Sequence, residues 1–378
     1  MLNLNFKIMK TIKKLTPVIF VILLLSFVAC EKEPSIESGD KSILPERMSI
    51  DIPNSLSNED IMLKSAAVDT LQGNEIYTHL THFIRIGEAG AEIVEDIIYS
   101  ISYYNIDKAM VLTYESDEDG RAKKIEVVEK ANFESINYDY KLTLTDEGSV
   151  SNPDGGKGLQ IFWNTNKGAG VEGVAILKPY NINRKDRELG EAVFRIDYSD
   201  INLVGYDARM IVQIADLPVP SALEDPYSMR TLKMFVGKNG DKIDIYGNSN
   251  HPNAKFFNDD TGFNWAFVAA GDDQLDIGVA EVGLPPSTLD ATSRKVLLED
   301  YSIKHVFSEQ IYDIWPNISG EIVNTYLYNT AAPGYFDSRG FVQGGTSPGS
   351  EYEKLDSRIE VLSPYNPKTI STLKISFQ

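Results

Sequence analysis

His79 and His82 stand three residues apart, a spacing at which two imidazoles on one helix can share a metal ion. No third ligand is identifiable for them, and a packed or exposed helix position is the competing reading of each. His251 lies in the turn-rich run Asn248-Ser249-Asn250-His251-Pro252, and His305 in a helical stretch. Neither has a nameable nucleophile, and there is no G-x-S-x-G elbow. The turns Asp117-Glu118-Asp119-Gly120, Asn258-Asp259-Asp260 and Asp272-Asp273 carry the clustered oxygens that calcium needs. They lack EF-hand spacing, and Asp and Asn favour turns on conformational grounds alone. Trp163, Trp265 and Trp315 offer flat faces on which sugars can stack. Trp163 is in phase with Leu159 and Ile161, and Trp265 with Phe267 and Ala269, which assigns both to a core. Trp315, before Pro316, is the freer one. Gly155-Gly156-Lys157-Gly158 has the composition of a phosphate loop without its spacing, and reads as a hairpin loop. Asp and Glu number 55, too many for any glycosidase-like carboxylate pair to stand out. The reading therefore names no catalytic residue, metal site or cofactor.

The elements that must position these residues are clearer. Over residues 75–104, Ile76, Leu80, Phe83, Ile84, Ala91, Val94, Ile97, Ile98 and Ile101 recur at three and four, which predicts one long helix. Gly87, Gly90 and Ala91 keep part of its apolar face small. Glycine costs about 1 kcal/mol inside a helix, so close packing against a sheet is the expected compensation. From 108 to 283 the period becomes two. Tyr138, Tyr140, Leu142 and Leu144 alternate with polar residues, as do Phe194, Ile196 and Tyr198. Eleven such runs are separated by turn signals such as Asp119-Gly120 and Asn239-Gly240-Asp241. The expected fold is mainly β (α+β). A long N-terminal helix packs on a curved antiparallel meander of about eleven strands, barrel-like or half-barrel, with one face wet.

Residues 288–378 are mixed. A helical patchwork is expected at 288–315, a Gly/Ser/Pro-rich loop at 331–351, and closing strands at 357–362 and 369–377. The segment is read as completing the domain of 75–287.

The N-terminus places the chain. A basic start (Lys10, Lys13, Lys14) precedes the uncharged run 15–29, which falls short of the about 20 apolar residues of a membrane span. Phe27-Val28-Ala29-Cys30 resembles the lipobox of bacterial lipoproteins, with Phe27 where leucine is usual. Glu31, Lys32 and Glu33 resemble the acidic stretch that follows the cysteine in the Bacteroidota type. The resemblance implies cleavage of a signal peptide (1–29), acylation of Cys30, and residence in the cell envelope on the outer membrane, open to its outer surface. Cys30 is the single cysteine in the chain. Residues 30–74, rich in Ser and Pro, read as a disordered tether.

Loss of four lysines with residues 1–29 takes the formal charge from -19 to about -23. Such a surface repels phosphate backbones, so nucleic acid is not an expected partner. The expected partners are the lipid bilayer, through acylated Cys30, and a small molecule, glycan or protein. The leading expectation is a non-enzymatic binding lipoprotein. A hydrolase of extracellular glycans or peptides and a structural surface or adhesion subunit are the alternatives.

Overall fold

Thirteen strands follow one another in a single antiparallel sheet whose spatial order is their sequence order. The computed structural model describes residues 42–57, 73–166, 170–202, 205–223, 225, 227–255 and 261–378. The signal peptide, Cys30 and the Asn258-Asp259-Asp260 turn lie outside the described residues. The strands are β1 (Met110–Glu115), β2 (Ala122–Phe133), β3 (Ile136–Asp146), β4 (Lys157–Asn166), β5 (Gly170–Leu177), β6 (Val193–Ser199), β7 (Ala208–Ala215), β8 (Thr231–Asn239), β9 (Lys242–His251), β10 (Phe263–Asp272), β11 (Ile277–Gly283), β12 (Gly334–Asp337) and β13 (Gly340–Gly344). The sheet is open, with β1 and β13 as its two edges.

Alternation decides which side each residue takes. Ile125, Val127, Leu142, Leu144, Leu159, Ile161, Trp163, Phe194, Ile196, Met210, Val212, Leu232 and Met234 all join one core. The helix α1 (Gly73–Ser102) packs into that core. It touches the middle strands β6, β7 and β8 and also the terminal strand β13, so the sheet curls about it. Its glycines sit at the closest approaches. A methyl group on Gly90 would lie 2.9 Å from the Phe194 ring, and one on Gly87 would meet Met234 and Leu232.

The wet face expected of the sheet is only partly present. Every residue of β10 is buried on both sides. Its outward residues Ala266, Val268 and Ala270 meet Leu297, Leu298, Tyr352, Leu355, Ile359 and Leu362 from the C-terminal segment. A second outer cluster, Phe133, Tyr138, Phe162, Val174 and Ile176, is packed by Ile375 and Phe377.

That covering segment corrects the expectations for 331–378. The stretch expected as a loop at 331–351 holds β12 and β13, which extend the sheet beyond eleven strands. The expected strand at 357–362 overlaps a helix, α4 (Glu353–Ile359), and the expected strand at 369–377 opens on a helix, α5 (Pro367–Ser371). Two further helices, α2 (Ile303–Ile314) and α3 (Gly320–Tyr326), stand between β11 and β12.

The tether expectation also changes. Residues 42–57 form a packed strap, with Leu44, Met48, Ile50, Ile52 and Leu56 in the core. Met48, Ile50 and Ile52 alternate with Ser49 and Asp51, which gives this strap one apolar side to bury.

Candidate functional site

Three of the four histidines, His79, His82 and His251, gather in the interior, and His305 stands apart. On β9, Ser249 and His251 are two residues apart and so face the same way, into the core. The His251 ring makes two contacts, Nδ1 to the Tyr227 carbonyl at 2.8 Å and Nε2 to the Ser249 hydroxyl at 2.8 Å. A carbonyl can only accept, so Nδ1 carries the proton and Nε2 accepts from Ser249. Burial pulls the His251 pKa down to about 3, which keeps the ring neutral.

Around this pair stand Phe83 and His79 from α1 and Trp265 from β10. Their ring centroids lie 4.6 Å (Phe83–His251), 5.8 Å (His251–Trp265) and 6.0 Å (His79–Trp265) apart. Burial lowers His79 and His82 to about 4 each, His79 with help from its neighbour His82. The structure thus brings His79 to His251, which the sequence keeps 172 positions apart. Among the described residues no three His, Cys, Asp or Glu groups gather as metal ligands.

The Ser249–His251 pair has the hydrogen-bond polarity of a nucleophile and its base. Two features weigh against that use. Both side chains have no exposed surface. The group that orients the imidazole is a neutral carbonyl, which stabilises an imidazolium less than a carboxylate does. The chemistry available there is that of a satisfied core histidine.

The two described oxygen-rich turns are spent internally. The Asp119 carboxylate accepts from Lys123 Nζ at 2.9 Å and from the Arg184 backbone N–H at 2.9 Å. Asp272 accepts from the backbones of Gln274 and Leu275. Lys157 of the glycine-rich loop opens β4, as a hairpin loop requires. His305 is exposed and lies 3.4 Å from Glu309 one helical turn on.

The tryptophans divide as their phases indicate. Trp163 and Trp265 are core, and Trp163 Nε1 donates to the Ile43 carbonyl at 2.8 Å. Trp315 is 56 % exposed. It is not isolated. Tyr312, Ile314, Ile322, Tyr326 and Tyr328 are exposed in the same α2–α3 excursion, Tyr328 by 65 %. This excursion is held down by Ile303, Val306 and Phe307 on α2, by Val323 on α3, and by Leu327 and Thr330 past its end. Glu321, Asn324 and Thr325, at helical spacing along α3, and Tyr328 just past its end line an open groove. The excursion returns to the sheet at Ala331, whose carbonyl accepts from the Tyr77 hydroxyl near the start of α1. Sequence reasoning named Trp315 alone. The other members sit at helical spacings within two short segments, where no long periodic stripe marks them.

This aromatic crest is the described surface best suited to recognition. Soluble surfaces carry large apolar groups mostly as scattered single ones, so six of them exposed within residues 312–328 single out this excursion. The Tyr328 ring beside Glu321, Asn324 and Thr325 combines a stacking face with hydrogen-bonding groups. Comparison of the sequence and the fold with protein-family models, curated proteins and solved structures gives no match.

Proposed function

We propose that the protein is a membrane-anchored envelope lipoprotein that acts by binding, presenting the crest of α2 and α3 to a glycan or protein. The observation that carries the reading is the exposure of Trp315 and Tyr328 together with four more large apolar side chains on one excursion. The interior of the curled sheet is a poor alternative site, because α1 and the strand side chains fill it. The anchor part of the reading rests on the lipobox at 27–30 and the lone cysteine.

Binding to a glycan array and to envelope extract, compared between the mature chain and a Trp315→Ala/Tyr328→Ala variant, tests it. Loss of a specific interaction in the variant, with an unchanged melting temperature, supports the reading. Retention of every interaction overturns the crest as the binding surface.

A hydrolase acting outside the cell is the second reading, and its specific support is the Ser249–His251 hydrogen bond. Turnover of an ester or peptide substrate that disappears in Ser249→Ala would establish it in place of the first.

A further inference from the structure

The described chain begins at one end of α1. The Ile43 backbone N–H donates to the Ile106 carbonyl at 3.1 Å, just past the C-terminal end of the helix. Eleven residues lie between Cys30 and Ser42, so the anchor lies within roughly 40 Å of this point even when the chain is fully extended. Tyr99 and Tyr103 are exposed at this end of the molecule, by 64 % and 62 %, and Tyr104, next in the chain, is exposed as well. Tyr99 and Tyr103 pack edge to face with their hydroxyls 2.9 Å apart, and Tyr104 leans on Tyr114.

We propose that this tyrosine end is a membrane-docking surface, which seats the domain on the bilayer that holds Cys30. The inference rests on the lipid-anchor part of the proposed function. Tyrosine suits the site because its ring enters the headgroup region while its hydroxyl stays with water and phosphate oxygens. Charge does not drive the contact. The mature chain is strongly acidic, and Lys108 at this end is offset by Asp107. The surface therefore fits a zwitterionic interface. The geometry also gives the molecule a polarity. The crest rejoins the body at Tyr77, near the other end of a 30-residue helix that is about 45 Å long. Docking at the tyrosine end turns the crest away from the lipid.

The single cysteine makes the test independent of acylation in the cell. The chain from residue 30, with its free thiol, is coupled to maleimide-headgroup lipid in phosphatidylcholine/phosphatidylethanolamine vesicles. Hydroxyl-radical labelling then compares coupled and uncoupled protein residue by residue. The expected result is a several-fold drop in labelling at Tyr99, Tyr103 and Tyr104, with Trp315, Tyr326 and Tyr328 unchanged. Equal labelling at both ends, or protection of the crest, overturns the docking surface. Intact mass of the protein from cells reads the anchor separately. A lipid-sized mass on Cys30 with no tyrosine protection rejects the docking alone. Its lack rejects the anchor, and with it the docking in cells.

Discussion

The carboxylate of Glu88, on α1, accepts the backbone N–H of Ile52, on the N-terminal strap, at 2.6 Å. The Ser57 hydroxyl and Arg85 Nη1 also bond this carboxylate, so one buried side chain fastens the strap to the helix. Burial pushes the Glu88 pKa up, against the pull of those hydrogen bonds and of Arg85. Glu88→Ala orphans the Ile52 N–H and is expected to cost about 1–3 kcal/mol in denaturant unfolding. Glu88→Gln keeps an acceptor and removes the buried charge, so its cost should be the smaller of the two at neutral pH. Because the folded pKa is raised, the Glu88 contribution is fully present below the unfolded value and declines as pH rises through the folded one. A Gln variant as damaging as Ala at pH 7 would contradict this account.

Acid should loosen the histidine cluster. His79 and His82 (about 4) and His251 (about 3) are held below the ordinary value of 6.5 by burial. The unfolded chain therefore binds these protons first. Stability is full above about pH 6.5 and falls as pH drops toward about 4, by something on the order of 3 kcal/mol for the sealed His251. This sign is opposite to that of Glu88, so single variants separate the two. Unfolding free energies of the parent, His79→Gln and His251→Gln between pH 7 and 4 check it. Parallel curves for all three would rule out the histidines as the cause.

Much of the fold is legible because strands with one buried side write their period into the sequence. Trp163 shares its phase with Leu159 and Ile161, and all three reach the core. The period fails where both sides of a strand are covered. In β12, Gly334 admits the Tyr77 ring, while Tyr335 and Phe336 pack on opposite sides of the sheet. Nothing alternates between polar and apolar there, and the glycines resemble loop residues. The opposite error occurs at 357–362. Ile359 and Val361 alternate like a strand, yet Tyr352, Leu355, Ile359 and Leu362 form a stripe spaced three, four and three, and that stripe is what is buried. Val361 is left 82 % exposed. The tail of the expected strand at 369–377 does lay Ile375 and Phe377 on the outer face of the sheet, without joining it as a strand.

The candidate site was less legible, for a related reason. Ser249 and His251 share a strand face, which two-residue spacing announces once β9 is known. Their approach to His79 depends on how α1 crosses the sheet, which no local pattern encodes.

A buried ion cluster ties the first hairpins together. Lys123, with no more than 1 % of its side chain exposed, lies 2.9 Å from Asp119 and 2.8 Å from Asp146. Burial raises the Asp146 pKa, but bonds from Arg121 and Lys123 outweigh it and hold the carboxyl well below its usual range. Lys123→Met leaves Asp119 without its cation and Asp146 with Arg121 alone. The expected loss is about 3–5 kcal/mol in thermal or denaturant unfolding. Combining it with Asp146→Asn should cost less than the two single losses added together. Strict additivity would show that the two charges do not sense each other.

Gly283 and Gly87 look alike in the sequence and should respond differently to alanine. A Cβ on Gly283 would sit 1.7 Å from the Leu297 carbonyl oxygen, in backbone that cannot step aside. Gly283 also bridges to Ser302, where the chain enters α2. Gly283→Ala should therefore cost at least about 3 kcal/mol, the upper end of overpacking effects. At Gly87 the nearest atom is Met234 Cε, 2.5 Å away, the free end of a flexible side chain. There the about 1 kcal/mol gained in helix propensity offsets much of the repacking cost. Gly87→Ala should then fall within about 1 kcal/mol of the parent. Guanidinium unfolding of both variants decides the matter. A tolerated Gly283→Ala would mean that the β11–α2 junction yields more easily than its backbone contacts require.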